Sequence, residues 1–326
     1  MTTKELLLEL FETQKGAFFS GEEIARRLCV SRAAVWKAVK SLQNEGYEIT
    51  AVTNKGYCLA ADTDILSVQG VQKYLDSSCR DLEIVVLPTA ESTNTLVRQK
   101  AAQGGNEGYT VISNEQTRGR GRYGRPFFSP GKTGIYLSIL LKPAVPSSEA
   151  LSITTMAAVA MCKAMEEVSQ ETPQIKWVND IYIRGKKVCG ILTEAALDLE
   201  SGMLEYAVLG VGVNVYTPQG GFPEELRDTA GAVFSAPGND AKNRLTAAFL
   251  NHFMSCYRGK NSGDYIAEYR RRNLVIGRKA VVYRNGIPQT VDICGIDDAC
   301  RLIVRYDNHE TAHLSYGEIQ LDQASG

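Results

Sequence analysis

The spacing of apolar residues changes along this chain, and that change limits its possible folds more than any single motif. Up to about residue 45 they recur at helical intervals: Leu6, Leu7, Leu8, Leu10 and Phe11, then Ile24, Ala25 and Leu28, then Val35, Val39 and Leu42. From Leu82, strand-like runs at 82–87, 109–113, 134–141, 174–178, 180–183, 186–195 and 204–215 alternate with helical stretches opening at Glu91 and near residues 148, 241 and 262. Beyond residue 278 the strands are short, at 279–284, 290–295, 302–306 and 312–316, with a turn at Asn285-Gly286. An α+β multidomain protein is expected, divided as 1–62, 63–273 and 274–326.

Bulk properties narrow the class. Apolar residues make up 44% of the 326 and charged residues 22%, as in soluble globular proteins. A net charge of −1 excludes a protein that is basic throughout, so any contact with DNA must be local. No apolar run reaches the length of a membrane span, and the N-terminus does not resemble a signal peptide. The eight cysteines lack C-x-x-C spacing; Cys29, Cys58, Cys162 and Cys189 lie in apolar contexts and read as small core residues in a reducing compartment. A cytoplasmic protein with no membrane partner is expected.

In the N-terminal stretch, Ser20 opens a second helix, and Glu23 three residues on predicts a capping box. Ser31 caps a third helix that Gly46 ends. Two short strands, 47–53 and 57–60, then flank Asn54-Lys55-Gly56. This order is a winged helix-turn-helix, with an all-helical protein-interaction module as the alternative. The third helix would enter the major groove, with Ser31, Arg32 and Trp36 at base edges and Lys37, Lys40 and Lys55 on phosphates. One such module has a small footprint, so specific binding would require a dimer.

Residues 118–125 put four arginines and three glycines into eight positions: Arg118, Gly119, Arg120, Gly121, Arg122, Tyr123, Gly124 and Arg125. Glycine lets backbone fold closely around a ligand, and arginine offers a donor fork suited to phosphate or carboxylate. A solvated charged face is the bland alternative. Gly119, Gly121 and Gly124 satisfy G-x-G-x-x-G, but Pro126, Pro130 and a strand follow where a dinucleotide site needs a helix. Gly131-Lys132-Thr133 imitates a P-loop end, yet its first glycine would fall on Pro126. His309-Glu310-Thr311-Ala312-His313 spells H-E-x-x-H, which binds zinc only on a helix, and here the flanking residues alternate as strands do.

Five segments, read in order, carry a resemblance: Glu91-Ser92-Thr93-Asn94 with Gln116, the loop 119–125, Lys176-Trp177-Val178-Asn179-Asp180, Lys186 to Gly190, and Gly210 to Asn214. Together they resemble the biotin–protein ligases, and with the winged module the chain resembles the bifunctional members that also repress biotin genes. The resemblance implies a central α/β domain like that of class II tRNA synthetases and a small C-terminal SH3-like β-barrel. It implies ATP with Mg²⁺, biotin as substrate and effector, a biotin carboxyl carrier domain as acceptor, operator DNA, and a homodimer formed on effector binding.

By the same resemblance Ser92, Thr93, Asn94, Gln116, Gly119 and Gly190 would hold biotin. Arg120, Arg122 and Lys187 would both bind it and catalyse, since activation brings a carboxylate against a triphosphate and like charges must be neutralised. Lys176, Asn179, Asn214 and Phe127 would address the nucleotide, Phe127 standing near the family's usual tryptophan. Asp180 is the candidate base if transfer uses one. The metal ligands are unassigned, and Thr229-Ala230-Gly231-Ala232 receives no role. Val178 replaces the family's commoner proline, and Arg118 is an extra charge. Other readings are a biotin-sensing regulator without catalysis, a ligase without DNA binding, and a lipoate-type ligase, which usually carries a histidine-containing motif in place of this loop.

Overall fold

The structure, a computed structural model, describes residues 1–259, 265–284, 287–315, 317 and 319–321. The Asn285-Gly286 turn, Tyr316 and the expected helix start at Ser262 lie outside the described residues.

Helices α1 (Thr3–Thr13), α2 (Gly21–Arg27) and α3 (Arg32–Asn44) precede a hairpin of β1 (Ile49–Val52) and β2 (Gly56–Leu59). Ser20 and Ser31 accept hydrogen bonds from Glu23 N at 3.0 Å and Ala34 N at 3.2 Å, satisfying donors that a helix start leaves open. The box expected at Glu23 does not close, because its carboxylate pairs with Arg27 at 2.6 Å, one turn on. The reciprocal box forms instead at Thr2 and Glu5 of α1. Leu7, Phe11, Ile24, Val35, Leu42 and Leu59 meet in one core, each fully buried side chain of this kind contributing about 1.5–3 kcal/mol. Cys29 departs from expectation: it is exposed, with φ of 54°, in the turn between α2 and α3, while Cys58, Cys162 and Cys189 are buried.

The short helix α4 (Val68–Gln72) was not legible in the sequence pattern and follows the winged unit. Then come β3 (Ile84–Leu87), α5 (Thr93–Ala102), β4 (Thr110–Ser113), β5 (Gly134–Leu141), α6 (Ala150–Ser169), β6 (Gln174–Lys176), β7 (Asp180–Ile183), β8 (Lys186–Leu197), β9 (Leu204–Asn214), α7 (Ala241–Tyr257) and α8 (Tyr265–Arg272). The seven strands form one mixed sheet in the order β3-β4-β5-β9-β8-β7-β6, parallel only between β3 and β4. β6 stops at Lys176, two residues short of the expected strand, where the Trp177–Val178 peptide is cis. β5 is buried at every position, as a continuous apolar run predicts for a central strand.

Strands β10 (Lys279–Arg284), β11 (Ile287–Ile296), β12 (Leu302–Tyr306), β13 (Thr311–Leu314) and β14 (Gln320–Leu321) make an antiparallel sheet ordered β13-β12-β11-β10-β14. Its inner face, including Val282, Val291, Ile293 and Val304, is continuous with the central core. His309 sits in a turn and His313 on β13, where its Nδ1 lies 2.7 Å from Asp297, so the H-E-x-x-H spacing is a strand hairpin.

The helical layer is tied by Arg272, whose guanidinium donates to Glu166 at 2.6 and 2.7 Å and to Glu268 at 2.6 Å. Hydrogen bonds from Arg271, outweighing the opposing effect of burial, and from Arg272 hold the Glu268 carboxyl down at about 2. A carboxyl depressed in the folded state stabilises above its unfolded value of 4.5 and loses that stabilisation as pH falls towards about 2. Burial raises Glu12 and Asp64, whose contributions run the other way. Melting temperature measured through that acid window should therefore fall less steeply in Glu268→Gln than in the unaltered protein. Parallel curves would show that this pair carries no pH-linked stability.

Candidate functional site

The ends of β8 and β9, the start of α5 and the 119–127 loop enclose a cavity of about 360 Å³. Five basic side chains line it, Arg120, Arg122, Arg125, Lys176 and Lys187, against one acidic one, Asp180. Such a balance suits a polyanion. A second cavity of about 130 Å³ includes Asn214, Thr229, Ala230 and Phe222. Pro126, Phe127 and Lys187 line both cavities.

Ser92, Thr93 and Asn94 are buried at the N-terminal end of α5 and face the larger cavity. Gln116 Oε1 accepts from Thr93 N at 2.9 Å and from its hydroxyl at 3.1 Å, while Gln116 Nε2 donates to Ser129 Oγ at 3.2 Å. Asn94 Oδ1 lies 2.6 Å from the Ser138 hydroxyl, and Asn94 Nδ2 donates to Glu194 at 2.7 Å. Gly210 makes that arrangement possible, because a Cβ there would sit 2.1 Å from Asn94 Oδ1. Gly212 does the same for Phe127, whose ring would be 2.6 Å from an added Cβ. Glycines on the most hydrophobic strand therefore mark close approach of side chains.

The arginine loop closes on itself. Phe127 N donates to Gly119 O at 2.9 Å and Gly121 N to Arg125 O at 2.8 Å, with Tyr123 at φ 57° forming the tip. Arg122 donates to Asn179 Oδ1 at 3.4 Å and to the Gly317 carbonyl at 3.3 Å. Arg120 donates to Glu194 at 3.1 Å, while its Nε is buried without an acceptor. Gly119 does not line the cavity; it packs beneath, against Ser129 and the Phe127 carbonyl. Arg118, the extra charge, is exposed and pairs with Glu91 at 3.0 Å.

Lys187 lies on β8, 2.7 Å from Asp180 on the adjacent strand. Its backbone is bracketed by Thr229 O at 2.8 Å and Gly231 N at 2.9 Å, and Asn214 Nδ2 donates to Gly231 O at 3.1 Å. Of the segment 229–232, given no role from sequence, Thr229 and Ala230 thus form part of the wall of the second cavity. Asn214 reaches that cavity alone, whereas Lys176, Asn179 and Gly190 line the larger one. Asn179 Nδ2 also donates to Ile191 O at 2.7 Å, an interior bond the sequence could not indicate. Cys189, between Lys187 and Gly190, is fully buried, and burial pushes its thiol well above the usual value, so it stays a neutral packing group.

Ser129, Ser138 and Glu194 were missed by the sequence reading. Only Glu194 left a signal, as a lone carboxylate in the run Ile191 to Leu197. On α3, Arg32, Trp36, Lys37 and Lys40 are exposed on the side opposite Val35, Val39 and Leu42; Ser31 caps that helix and Lys55 is exposed in the hairpin. The structure thus collects these residues at the winged unit's surface, apart from the cavities. No helix among the described residues is long and apolar enough to cross a membrane.

The biotin/lipoate A/B protein ligase family matches residues 86–214, and an HTH domain matches residues 3–58. A protein of Bacillus subtilis strain 168 named bifunctional ligase/repressor BirA is 34% identical over 265 residues, 81% of this chain and 80% of that protein. The Escherichia coli K12 protein of the same name is 30% identical over 200 residues, 61% of this chain and 60% of its own length. A biotin protein ligase from Aquifex aeolicus, solved in complex with biotin and ATP, matches in fold with a TM-score of 0.60 at 23% identity, covering 74% of this chain and 99% of that one. With ligase and helix-turn-helix segments in the same order, and identity of this level across four fifths of both chains, this protein belongs to the family of bifunctional biotin ligase/repressors.

Proposed function

We propose that this protein is an ATP-dependent biotin–protein ligase that also represses transcription in response to its own reaction intermediate. The observation carrying the reading is that Lys187 lines both cavities, so one cation stands where the acid and the phosphates, in the larger cavity, would meet the rest of a nucleotide extending into the smaller. A carboxylate oxygen of biotin attacks the α-phosphorus of ATP, an acyl–phosphate bond forms, and pyrophosphate leaves. Lys187, Arg120, Arg122 and Lys176 offset the approach of like charges and stabilise charge on the transferring phosphate. Ser92, Thr93, Asn94 and Gln116 bind the ureido end of biotin, and Gly190 allows close backbone approach. Phe127, Asn179 and Asn214 address the nucleotide.

In the second step the amine of a carrier-domain lysine attacks the acyl carbon, an amide forms, and AMP leaves. The amine must first lose a proton, and the cationic site lowers its pKa from about 10.4. We assign no dedicated base, because Asp180 is already held 2.7 Å from Lys187 in an ion pair. Among the described residues no group of three or more His, Cys, Asp or Glu forms a metal cage. Mg²⁺ at this site would be held chiefly by nucleotide phosphates, the usual arrangement for this ion.

The α3 face with Arg32, Trp36, Lys37 and Lys40, the cap Ser31 and the hairpin Lys55 form the operator-binding surface. Biotinyl-adenylate orders the arginine loop and nearby surfaces and favours a homodimer, which an unmodified carrier domain opposes by competing for that surface. The domain limits 1–62, 63–273 and 274–326 and a cytoplasmic location belong to this reading. The test is exchange of labelled pyrophosphate into ATP together with an electrophoretic shift on DNA upstream of biotin genes. Exchange is expected with biotin and not with lipoate, and the shift should strengthen when adenylate is present. Biotin binding without exchange would instead indicate a sensor, and exchange without any shift a ligase lacking the DNA role.

A further inference from the structure

Glu194 is the carboxylate that joins the two halves of the larger cavity. It sits on β8 in the regular part of its antiparallel ladder with β9, opposite Val208, two residues before the register shift at Ala196/Leu197, so its backbone is held on a paired strand. Arg120 Nη2 donates to both of its oxygens at 3.1 Å, and Asn94 Nδ2 donates to Oε2 at 2.7 Å. Arg98 stands further off, at 3.7 Å and half exposed. Asn94 is fixed at its other end by Ser138. Glu194 therefore ties the start of α5, one wall of the cavity, to a loop whose short backbone bonds are internal to itself.

We propose that Glu194 is a positioning residue for biotin: it aims Asn94 at the ligand's head and holds Arg120 over the cavity. This rests on the biotin-ligase reading above. An arginine between two glycines has many accessible conformations, and a charge-assisted bond to a fixed anion selects one of them. Arg120 engages Glu194 through Nη2, while its Nε is buried without an acceptor, so the Glu194 contact is what fixes the guanidinium. Glu194 acts chiefly on the geometry of the biotin site, through Asn94 and Arg120, and touches none of the residues Phe127, Asn179 and Asn214.

The test is steady-state pyrophosphate exchange by the unaltered chain, Glu194→Gln and Glu194→Ala, with biotin and ATP varied separately. Glutamine keeps the length and one acceptor, but turns an amide N–H towards Asn94 or Arg120, which are both donors. The KM for biotin should rise about tenfold in the alanine variant and less in the glutamine variant, with the KM for ATP within about twofold and kcat falling by a smaller factor than the KM for biotin rises, since Arg120 also serves the chemical step. An unchanged KM for biotin in either folded variant overturns the proposal. So does a fall in kcat with KM intact, which would put Glu194 in the chemical step. Should the alanine variant fail to melt cooperatively, the glutamine variant decides alone. If the unaltered chain binds biotin but does not exchange, the ligase reading fails, and dissociation constants for biotin across the same three proteins still decide the role of Glu194. If it does not bind biotin, both fall.

Discussion

Lys187→Ala is expected to lower biotin-dependent pyrophosphate exchange by about a hundredfold to a thousandfold, the range seen when one preorganised charge-stabilising donor is removed from an active site. The pairing with Tyr182 of β7, the bracketing bonds to Thr229 and Gly231, and the 2.7 Å contact with Asp180 fix the ammonium before any substrate arrives. Removing it leaves Asp180 unpaired at the wall of the cavity, which adds repulsion towards an incoming carboxylate and triphosphate. Both the KM for biotin and kcat should therefore worsen. The fold should change little, since Lys187 is one third exposed and packs no apolar core. Exchange measured alongside a thermal melt checks this. A loss smaller than about threefold in a fully folded variant would move acid activation away from Lys187.

Gly210→Ala should raise the KM for biotin by more than about tenfold and cost about 1–3 kcal/mol of stability, as inserting a methyl group into a packed interior does. The added Cβ would sit 2.1 Å from Asn94 Oδ1. Asn94 is buried and bonded at both ends, to Ser138 and to Glu194, so it cannot move aside without breaking both contacts. β9 cannot yield easily either, because it is hydrogen-bonded to β5 on one side and β8 on the other. Denaturant unfolding and biotin titration read the two effects separately. A normal KM with lowered stability would mean that Asn94 is structural and does not touch the ligand.

Local chemistry explains what was readable in advance. Helix starts at Ser20 and Ser31, the stripe Val35–Val39–Leu42, the central strand from Gly134 and the loop of glycine and arginine all depend on neighbours in sequence. Short-range reasoning also reached too far. Glu23 completes its box only if no better partner is near, and Arg27, one turn away, captured the carboxylate. Cys29 looked apolar by its neighbours but lies in a turn at positive φ, where the surroundings are solvent.

The site residues divide in the same way. Gly119, Arg120, Arg122, Lys176, Lys187 and Asn94 stood out because few other structures call for those residue types in those patterns. Their partners did not: Glu194 lies 74 residues from Arg120 and 100 from Asn94, and Ser138 lies 44 from Asn94. The division of the residues proposed to address the nucleotide between two cavities, and the place of Thr229 and Ala230 in the wall of the second, likewise follow from strand order and not from spacing. Sequence by itself determined most of the helices, strands and the charged loop, because those properties arise from periodicity, capping and residue type within a few positions, and the order of its motifs carried the resemblance to the family. The tertiary structure alone decided which charge faces which, since those contacts join segments that only the completed seven-stranded sheet brings within hydrogen-bonding distance.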